Sequence, residues 1–239
     1  MFLCNCRISP ETFAKEAEVI LGGNLVSVVL YGSAAAGDHA GKTSDYNVLI
    51  VLKDADVEAL ASLSRLNKTW AKAGNPPPLI FTESGFRGAA DVFPIEILDI
   101  LQSHRLLAGR DVVSSITVSK AHLRHQVEYE LRSKLLKLRG AAVASGGCPK
   151  KLAEALLAVY SPLSATFRAA LRLYEDAVPA DKRAAVAALT RHIAFDRAPF
   201  ERLAAAKTGD KLAKAESPAL FAAVLKALET VTAAVDAIP

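Results

Sequence analysis

The stretch "YGSAAAGDHAGKTSDYNVLIVL", residues 31–52, decides the fold because it holds two competing phosphate-binding patterns. Its middle, "AGKT", ends like a P-loop. Its two ends, Gly32-Ser33 and "SDYN" at 44–47, are typical of a loop that binds a nucleotide and a metal ion. The patterns predict different structures, because a P-loop needs a helix after its lysine, whereas the second pattern needs a strand there.

The P-loop interpretation fails on both its sequence and its context. The pattern Gly-x-x-x-x-Gly-Lys-Ser/Thr requires glycine where Ala36 stands, five residues before Gly41. The apolar, β-branched run 48–52 then predicts a strand. No helix N-terminus therefore follows the lysine to hold a phosphate.

The second pattern follows a predicted buried strand, "LVSVVLYG" at 25–32, and continues as a short helix through "AAAG", a turn and a return strand. Gly32 lets the backbone approach a phosphate, and the Ser33 hydroxyl can bind its oxygens beside the amides of the helix start. Asp45 and Asn47 should point the same way, because side chains alternate along a strand. Their oxygens could share a magnesium ion with the phosphates.

The chain as a whole alternates between strand-like and helix-like segments and then becomes helical. We predict an α+β protein with an N-terminal α/β domain and mixed sheet at 1–117 and a C-terminal all-α helical bundle at 118–239. Periodicity predicts helices over 11–23 and 56–74, and strands over 25–32, 46–54, 79–82 and 93–101. Glycine and proline breaks divide the remainder into about five amphipathic helices.

The order of strand, Gly-Ser, helix, turn and strand resembles the nucleotidyltransferase superfamily, whose signature ends in Asp-x-Asp or Asp-x-Glu. Its kanamycin-type members join such a domain to a helical bundle. The resemblance implies Mg²⁺-dependent transfer of a nucleoside monophosphate from an NTP, with ATP expected, to a hydroxyl of a small molecule or a protein. It also implies that Gly32, Ser33 and Ser44 bind the nucleotide and that Asp45 is a catalytic metal ligand.

A third acid is expected on a later strand of such an enzyme, and "FPIEILDI" at 93–100 offers Glu96 and Asp99. The two have opposite parity in a strand, so only one can face the site. We prefer Glu96 as a catalytic metal ligand, because it lies between Ile95 and Ile97, where an unpaired charge is costly. Asp99 is then a solvated or capping residue, and Glu96 as a surface acid is the alternative.

The sequence departs from the family pattern at Asn47, where a second acid is expected. An asparagine carbonyl can bind Mg²⁺ but brings no charge, so we predict weaker metal binding. The chain is either an enzyme with one well-held metal ion or a degenerate, antitoxin-like module that binds a nucleotide or a partner. In a degenerate site, a cation such as Lys42 or Arg87 could occupy the place of the metal.

The helix predicted at 127–140 resembles the one that carries the general base in the kanamycin-type enzymes, and Glu130 matches best. Such a carboxylate could take the proton of the attacking hydroxyl. The alternative is a solvated Glu130 paired with Lys134 one turn later. A metal site at His122 and His125 is disfavoured, because only Glu128 could complete its ligand set.

Composition supports a soluble globular protein. The net charge of +4 is spread among acids, which disfavours dedicated nucleic-acid binding but suits a small anionic substrate. Three cysteines, including Cys4 and Cys6, do not make a disulfide framework. No apolar run reaches the about 18 to 20 residues of a membrane helix, so we expect a cytoplasmic protein that does not bind membranes and could form a homodimer.

Overall fold

The computed structural model describes residues 8–35 and 45–239. The chain divides into two compact units, Met1–Ser119 and Lys120–Pro239. The first contains a mixed sheet with helices, and the second is helical, so the predicted α+β class is confirmed. Cys4, Cys6, Lys42 and Ser44 lie outside the described residues.

The N-terminal unit alternates helices and strands. Its elements are α1 Pro10–Leu21, β1 Leu25–Tyr31, β2 Asn47–Leu52, α2 Val57–Ser62, α3 Ser64–Lys72, β3 Leu79–Thr82, α4 Glu83–Val92, α5 Pro94–Gln102 and β4 His104–Gly109. The strands lie in the order β3-β2-β1-β4, with β1 antiparallel to β2 and β4, and β2 parallel to β3. Three of the four predicted strands are therefore present where the sequence placed them.

The first helix shows how local sequence sets the element boundaries. The Ser9 hydroxyl accepts the Thr12 N–H, and Pro10 occupies the first turn, where its missing N–H costs nothing. The helix ends at Gly22, whose φ of 49° favours glycine. The single helix predicted over 56–74 is divided at Leu63 into α2 and α3.

Both faces of the sheet are covered, as the apolar strands require. Along β2, Val48, Ile50 and Leu52 join a core with α1 and α3, in which Phe13 and Trp70 are fully buried. The alternate residues Leu49 and Val51 join a second core with α4 and α5, which includes Phe86, Ile97 and Ile100. Alternation along β2 therefore assigns each side chain to one pair of helices.

The prediction of a fourth strand over 93–101 is wrong. These residues form α5, which begins with Pro94 in its first turn. Ile97 and Ile100, three residues apart, are both buried, which is helical and not strand spacing. The fourth strand is instead β4, which immediately follows this helix and pairs with β1.

The C-terminal unit consists of the predicted amphipathic helices. They are α6 Lys120–Ser145, α7 Pro149–Leu171, α8 Lys182–Leu189, α9 Ala198–Lys207 and α10 Ser217–Asp236. Each of the two longest helices buries one apolar face, with Val127, Leu131 and Leu138 in α6 and Leu152, Leu156 and Leu163 in α7.

The stretch Lys214–Asp236, which contains α10, is long and apolar enough to resemble a membrane span, with a mean hydropathy of 1.5. It is the single such helix in the described parts of the chain. Val224, Leu228, Val231 and Val235 are nevertheless fully buried within the helical unit. A core helix of a globular protein has the same composition, so this segment is weak support for a membrane protein.

Candidate nucleotide-binding site

Gly32 lies directly after β1 and has a φ of 82°, a conformation that favours glycine. Its N–H donates to the Ser103 carbonyl at 2.9 Å, and its own carbonyl accepts the Ala35 N–H at 3.0 Å. A Cβ atom at Gly32 would lie 3.4 Å from the Nδ2 of Asn47. The Gly32 backbone and the Asn47 side chain therefore lie close together, whereas their predicted roles in phosphate and metal binding stay predictions.

Asn47 begins β2, and its Cα partner in β1 is Tyr31. It has the same parity as Leu49 and Val51, so it lies on the sheet face that α5 covers. Asp45 lies two residues earlier and is exposed. One carboxylate and one amide therefore lie at the end of the sheet where the central strand β1 ends and its neighbour β2 begins.

The start of β2 is held by a loop that the sequence analysis did not connect with the site. The Tyr46 N–H donates to the Oδ1 of Asn75 at 3.1 Å, and Asn75 is only 8% exposed. The indole N–H of Trp70 donates to the Pro76 carbonyl and so fixes the same loop. An asparagine before three prolines was the signal, but its partner lies 29 residues away.

Ser33 is exposed and lies in a turn that extends to Ala35. Because the Gly32 carbonyl accepts the Ala35 N–H, the chain reverses direction directly after β1. The rest of the short helix predicted through residue 37 lies outside the described residues. The nucleotide-binding roles of Ser33 and Ser44 stay predictions.

Glu96 does not lie in the middle of a strand, because its segment is helical. It is exposed in the first turn of α5, about two turns before Ser103, which contacts Gly32. The parity argument that separated Glu96 from Asp99 fails, since residues three apart share one side of a helix. The role of Glu96 as a metal ligand stays a prediction, but from a helix instead of a strand.

Asp99 and Tyr31 are additional residues near the site that the sequence analysis set aside or missed. Burial raises the pKa of the Tyr31 phenol, and the negative charge of Asp99 raises it further. Asp99 therefore lies close to the residue that precedes Gly32. His104 is the β4 partner of Tyr31, so Asp99 of α5 and His104 of β4 bring an acid and an imidazole to this region. A helical interpretation of 94–102 would have kept Asp99 as a candidate.

Within residues 8–35 and 45–239, no cluster of three or more His, Cys, Asp or Glu could hold a metal ion. Glu128, the one acid that could complete a site at His122 and His125, forms ion pairs with Arg124 and Arg132. Mg²⁺ is commonly held by one or two carboxylates together with substrate phosphates. Asp45 and Asn47 fit one such ion, shared with a nucleotide, better than a metal cluster held by protein alone.

Arg87 does not occupy the site. Its guanidinium binds Glu83 at 2.9 Å, and Arg110 binds the other oxygen of the same carboxylate. Lys53 and Ser84 line a cavity of about 380 Å³ with this pair. Lys53 follows the end of β2, whereas Asn47 begins it, so the Arg87 cluster lies at the opposite end of the sheet.

Glu130 lies in α6, and its carboxylate accepts a hydrogen bond from the ammonium of Lys134 at 2.5 Å. This is the ion pair one helical turn apart that was the alternative to a catalytic Glu130. Glu130 is partly exposed, whereas Lys134 is only 8% exposed. The pairing does not exclude proton transfer, because an ionised carboxylate is the form that accepts a proton. The base role stays a prediction.

Two comparisons with known proteins, one against protein-family models and one against curated proteins, gave no match. Comparison with solved structures shows a nucleotidyltransferase fold. The chain is similar to spectinomycin adenyltransferase from Enterococcus faecialis, which was solved with ATP and spectinomycin. The TM-score is 0.56, the match covers 95% of this chain and 98% of that chain, and 10% of the residues are identical. At that identity, the similarity establishes the fold alone.

Proposed function

We propose that this chain binds an NTP, with ATP expected, at the sheet edge formed by Gly32 and Asn47, and that it is a nucleotidyltransferase. The observation that supports the proposal is the proximity of Gly32, which follows β1, to Asn47, which begins the paired strand β2. The similar adenyltransferase was solved with ATP and a small-molecule acceptor, which supports the same pair of substrate classes for this fold.

Phosphate binding follows from the backbone at Gly32. Because glycine has no side chain, a phosphate can approach this turn closely. The hydroxyls of Ser33 and Ser44 are the proposed donors to its oxygens. Asp45 and Asn47 would hold Mg²⁺ together with the phosphates, and Glu96 or Asp99 of α5 would be the third protein ligand. Mg²⁺, when bound, neutralises the phosphate charge and that of the departing pyrophosphate.

The proposed reaction joins an acceptor hydroxyl to the α-phosphorus of the NTP. The hydroxyl oxygen forms a bond to that phosphorus, the bond to the bridging oxygen of the β-phosphate breaks, and pyrophosphate leaves. The proton of the hydroxyl passes to a carboxylate, for which Glu130 is the candidate. The acceptor is a small molecule or a protein. A cytoplasmic location and a homodimer remain part of the proposal.

A second candidate function is nucleotide binding without turnover, by a degenerate, antitoxin-like module. The observation that favours it is the small number of acids near Gly32 among the residues that the structure describes. Asn47 replaces the second acid, and Glu96 lies on a helix. Fewer carboxylates hold Mg²⁺ less tightly, whereas a nucleotide can still bind through backbone amides.

The test is a titration of the full chain with ATP and Mg²⁺ by calorimetry, followed by measurement of pyrophosphate release with a panel of hydroxyl acceptors. We expect Asp45→Asn to weaken Mg²⁺-dependent ATP binding about tenfold. The matched control is Asp176→Asn, an exposed position in the helical unit. Asn47→Asp should strengthen Mg²⁺ binding, because it adds a charged ligand.

The outcomes separate the two functions. No ATP binding, with or without Mg²⁺, would overturn both. ATP binding without pyrophosphate release from the native chain or from Asn47→Asp would reject the enzyme and leave the binding module. Asp99→Asn and Glu96→Gln show which acid of α5 contributes, through the larger loss of Mg²⁺ affinity.

A further inference from the structure

The helical unit contains a cavity of about 490 Å³ between α6 and α7. Its walls come from one face of each helix, which includes Lys134 and Leu138 of α6 and Ala155 and Val159 of α7. The volume falls within the roughly 300 to 1,000 Å³ that is typical of small-molecule sites. All of its lining residues belong to the helical unit, and they include Glu130.

One end of the cavity is apolar and lined by small side chains. Ala141 of α6 and Ala155 of α7 lie toward the turn that joins the two helices. Alanine removes little volume from the space between two backbones, and these positions therefore leave room for a guest. The surfaces of Leu138 and Val159 complete a wall suited to an aliphatic chain.

The other end of the cavity is lined by charged side chains, including the buried Lys134. Lys134 is only 8% exposed, and burying an ammonium is costly unless it is paired. An ammonium has three donors, and Glu130 accepts one of them. Lys137 also lines the cavity. The lining of two lysines and one glutamate thus has a net charge of +1, which favours an anion.

The α7 wall of the cavity includes a proline, which leaves one backbone carbonyl without its usual helical donor. Pro162 lies inside this helix and lines the cavity together with Ala158. Proline has no N–H, so it cannot donate to the Ala158 carbonyl as other residues in that helical position do. A hydroxyl on a guest molecule could use this carbonyl.

We propose that this cavity binds a small amphipathic molecule with a single anionic group such as a carboxylate. The anionic group lies against Lys134 and Lys137, and the aliphatic part lies between Ala141 and Ala155. A polycationic ligand is excluded by the same charges, because both lysines would repel it. This binding site goes beyond the proposed transfer reaction, with which it shares Glu130, and the binding itself does not require that reaction.

The test uses the full chain without nucleotide and three probes of equal length: octanoate, octanol and octylammonium. We expect calorimetry to give the tightest binding for octanoate, weaker binding for octanol and none for octylammonium. Lys134→Met should weaken octanoate binding about tenfold, since a charge-assisted hydrogen bond is lost. Lys226→Met, an exposed position of α10 in the same unit, is the matched control and should change nothing.

A second variant tests the cavity without changing its charge. Ala155→Leu should weaken octanoate and octanol alike, because leucine keeps helix propensity while it fills the space. Circular dichroism checks that each variant is folded, and Lys137→Met replaces Lys134→Met if the latter is not. Equal affinity for the three probes, no binding of octanoate, or unchanged octanoate binding in the lysine and Ala155→Leu variants would overturn the proposal.

Discussion

Gly109 at the end of β4 shows how one residue permits a strand pairing. Its φ is 76°, and a Cβ atom there would lie 2.2 Å from the carbonyl oxygen of Val26. The same carbonyl accepts the N–H of Arg110 at 3.0 Å, so the two backbones cannot separate without losing a hydrogen bond. Only glycine fits both the conformation and the space.

We therefore predict that Gly109→Ala lowers the free energy of unfolding by about 2 kcal/mol or more. The left-handed conformation alone costs about 1–2 kcal/mol, and the clash adds to it. The control is Gly88→Ala in α4, where nothing lies within 4 Å of the added Cβ. That change should stabilise by about 0.5–1 kcal/mol, because alanine is the better helix former. Urea denaturation measures both, and a neutral Gly109→Ala contradicts the structure.

At the scale of elements, α5 determines which residues reach the candidate site. Ile97 and Ile100 bury one side of this helix against the sheet, and Ser103 at its end contacts Gly32. A strand in this place would have directed residues 96, 98 and 100 to one face. A helix and a strand over these residues therefore bury different side chains, and the buried side chains stabilise the fold.

Substitution of buried and exposed residues tests the helix. Ile100→Ala should cost about 2–5 kcal/mol, which is usual for a buried isoleucine. Val92→Ala, at a side chain that is 60% exposed just before α5, should change stability by no more than about 0.5 kcal/mol. Chemical denaturation gives both values. Similar costs at the two positions would show that α5 does not pack as described.

The sequence correctly predicted strands that turn signals delimit, and it missed the helix in a short apolar run without a clear periodicity. Residues 25–32 and 46–54 are β-branched runs between turn signals, and both became strands. The run 93–101 is short and apolar almost throughout, so periodicity cannot distinguish a strand from a buried helix. Gly32 and Asn47 were found because they flank strands, whereas Asn75 and Ser103 act through distant hydrogen bonds that no local pattern records.

Glu83 at the start of α4 forms ion pairs with Arg87 of the same helix and with Arg110, which follows β4. The hydrogen bond from Arg110 lowers the pKa of the Glu83 carboxyl below its ordinary value of 4.5, and Arg87 adds to the effect. A lowered pKa in the folded state means that the charged carboxylate stabilises the fold above about pH 4.5. That contribution is lost as the pH falls through the pKa of the folded state.

We predict that Glu83→Gln is less stable than the native chain near neutral pH and that the difference narrows below about pH 4.5. Thermal unfolding followed from about pH 7 to about pH 3 measures the difference. As a control, Arg110→Gln should reduce the pH-dependent part of the stability more than Arg87→Gln. The reason is that Arg110 contributes more than Arg87 to the lowered pKa of Glu83. Parallel curves for native chain and Glu83→Gln contradict the prediction.

At the scale of the whole molecule, each of the two units has its own core, and one optical probe distinguishes them. Trp70 is the sole tryptophan of the sequence and is fully buried in the N-terminal unit. Helical circular dichroism comes in large part from the long helices α6, α7 and α10. Tryptophan fluorescence and circular dichroism therefore report different units.

We expect Leu228→Ala, which opens a cavity in the helical core, to lower the unfolding midpoint measured by circular dichroism. The cost should be about 2–5 kcal/mol for that unit. The midpoint measured by Trp70 fluorescence should stay unchanged, because a unit with its own core can unfold separately. Ile100→Ala provides the reciprocal control in the N-terminal unit. Equal shifts in both signals for both variants would show a single cooperative transition.

The strand order also dictates when the sheet can be completed during synthesis. β1 pairs early with β2, but its other edge is covered by β4, which emerges from the ribosome only after α2 to α5. Until His104–Gly109 are made, β1 presents a row of free amides and carbonyls to any other nascent chain. A polypeptide that stops before His104 therefore leaves this side of β1 unpaired, and we expect it to aggregate more readily than the complete N-terminal unit.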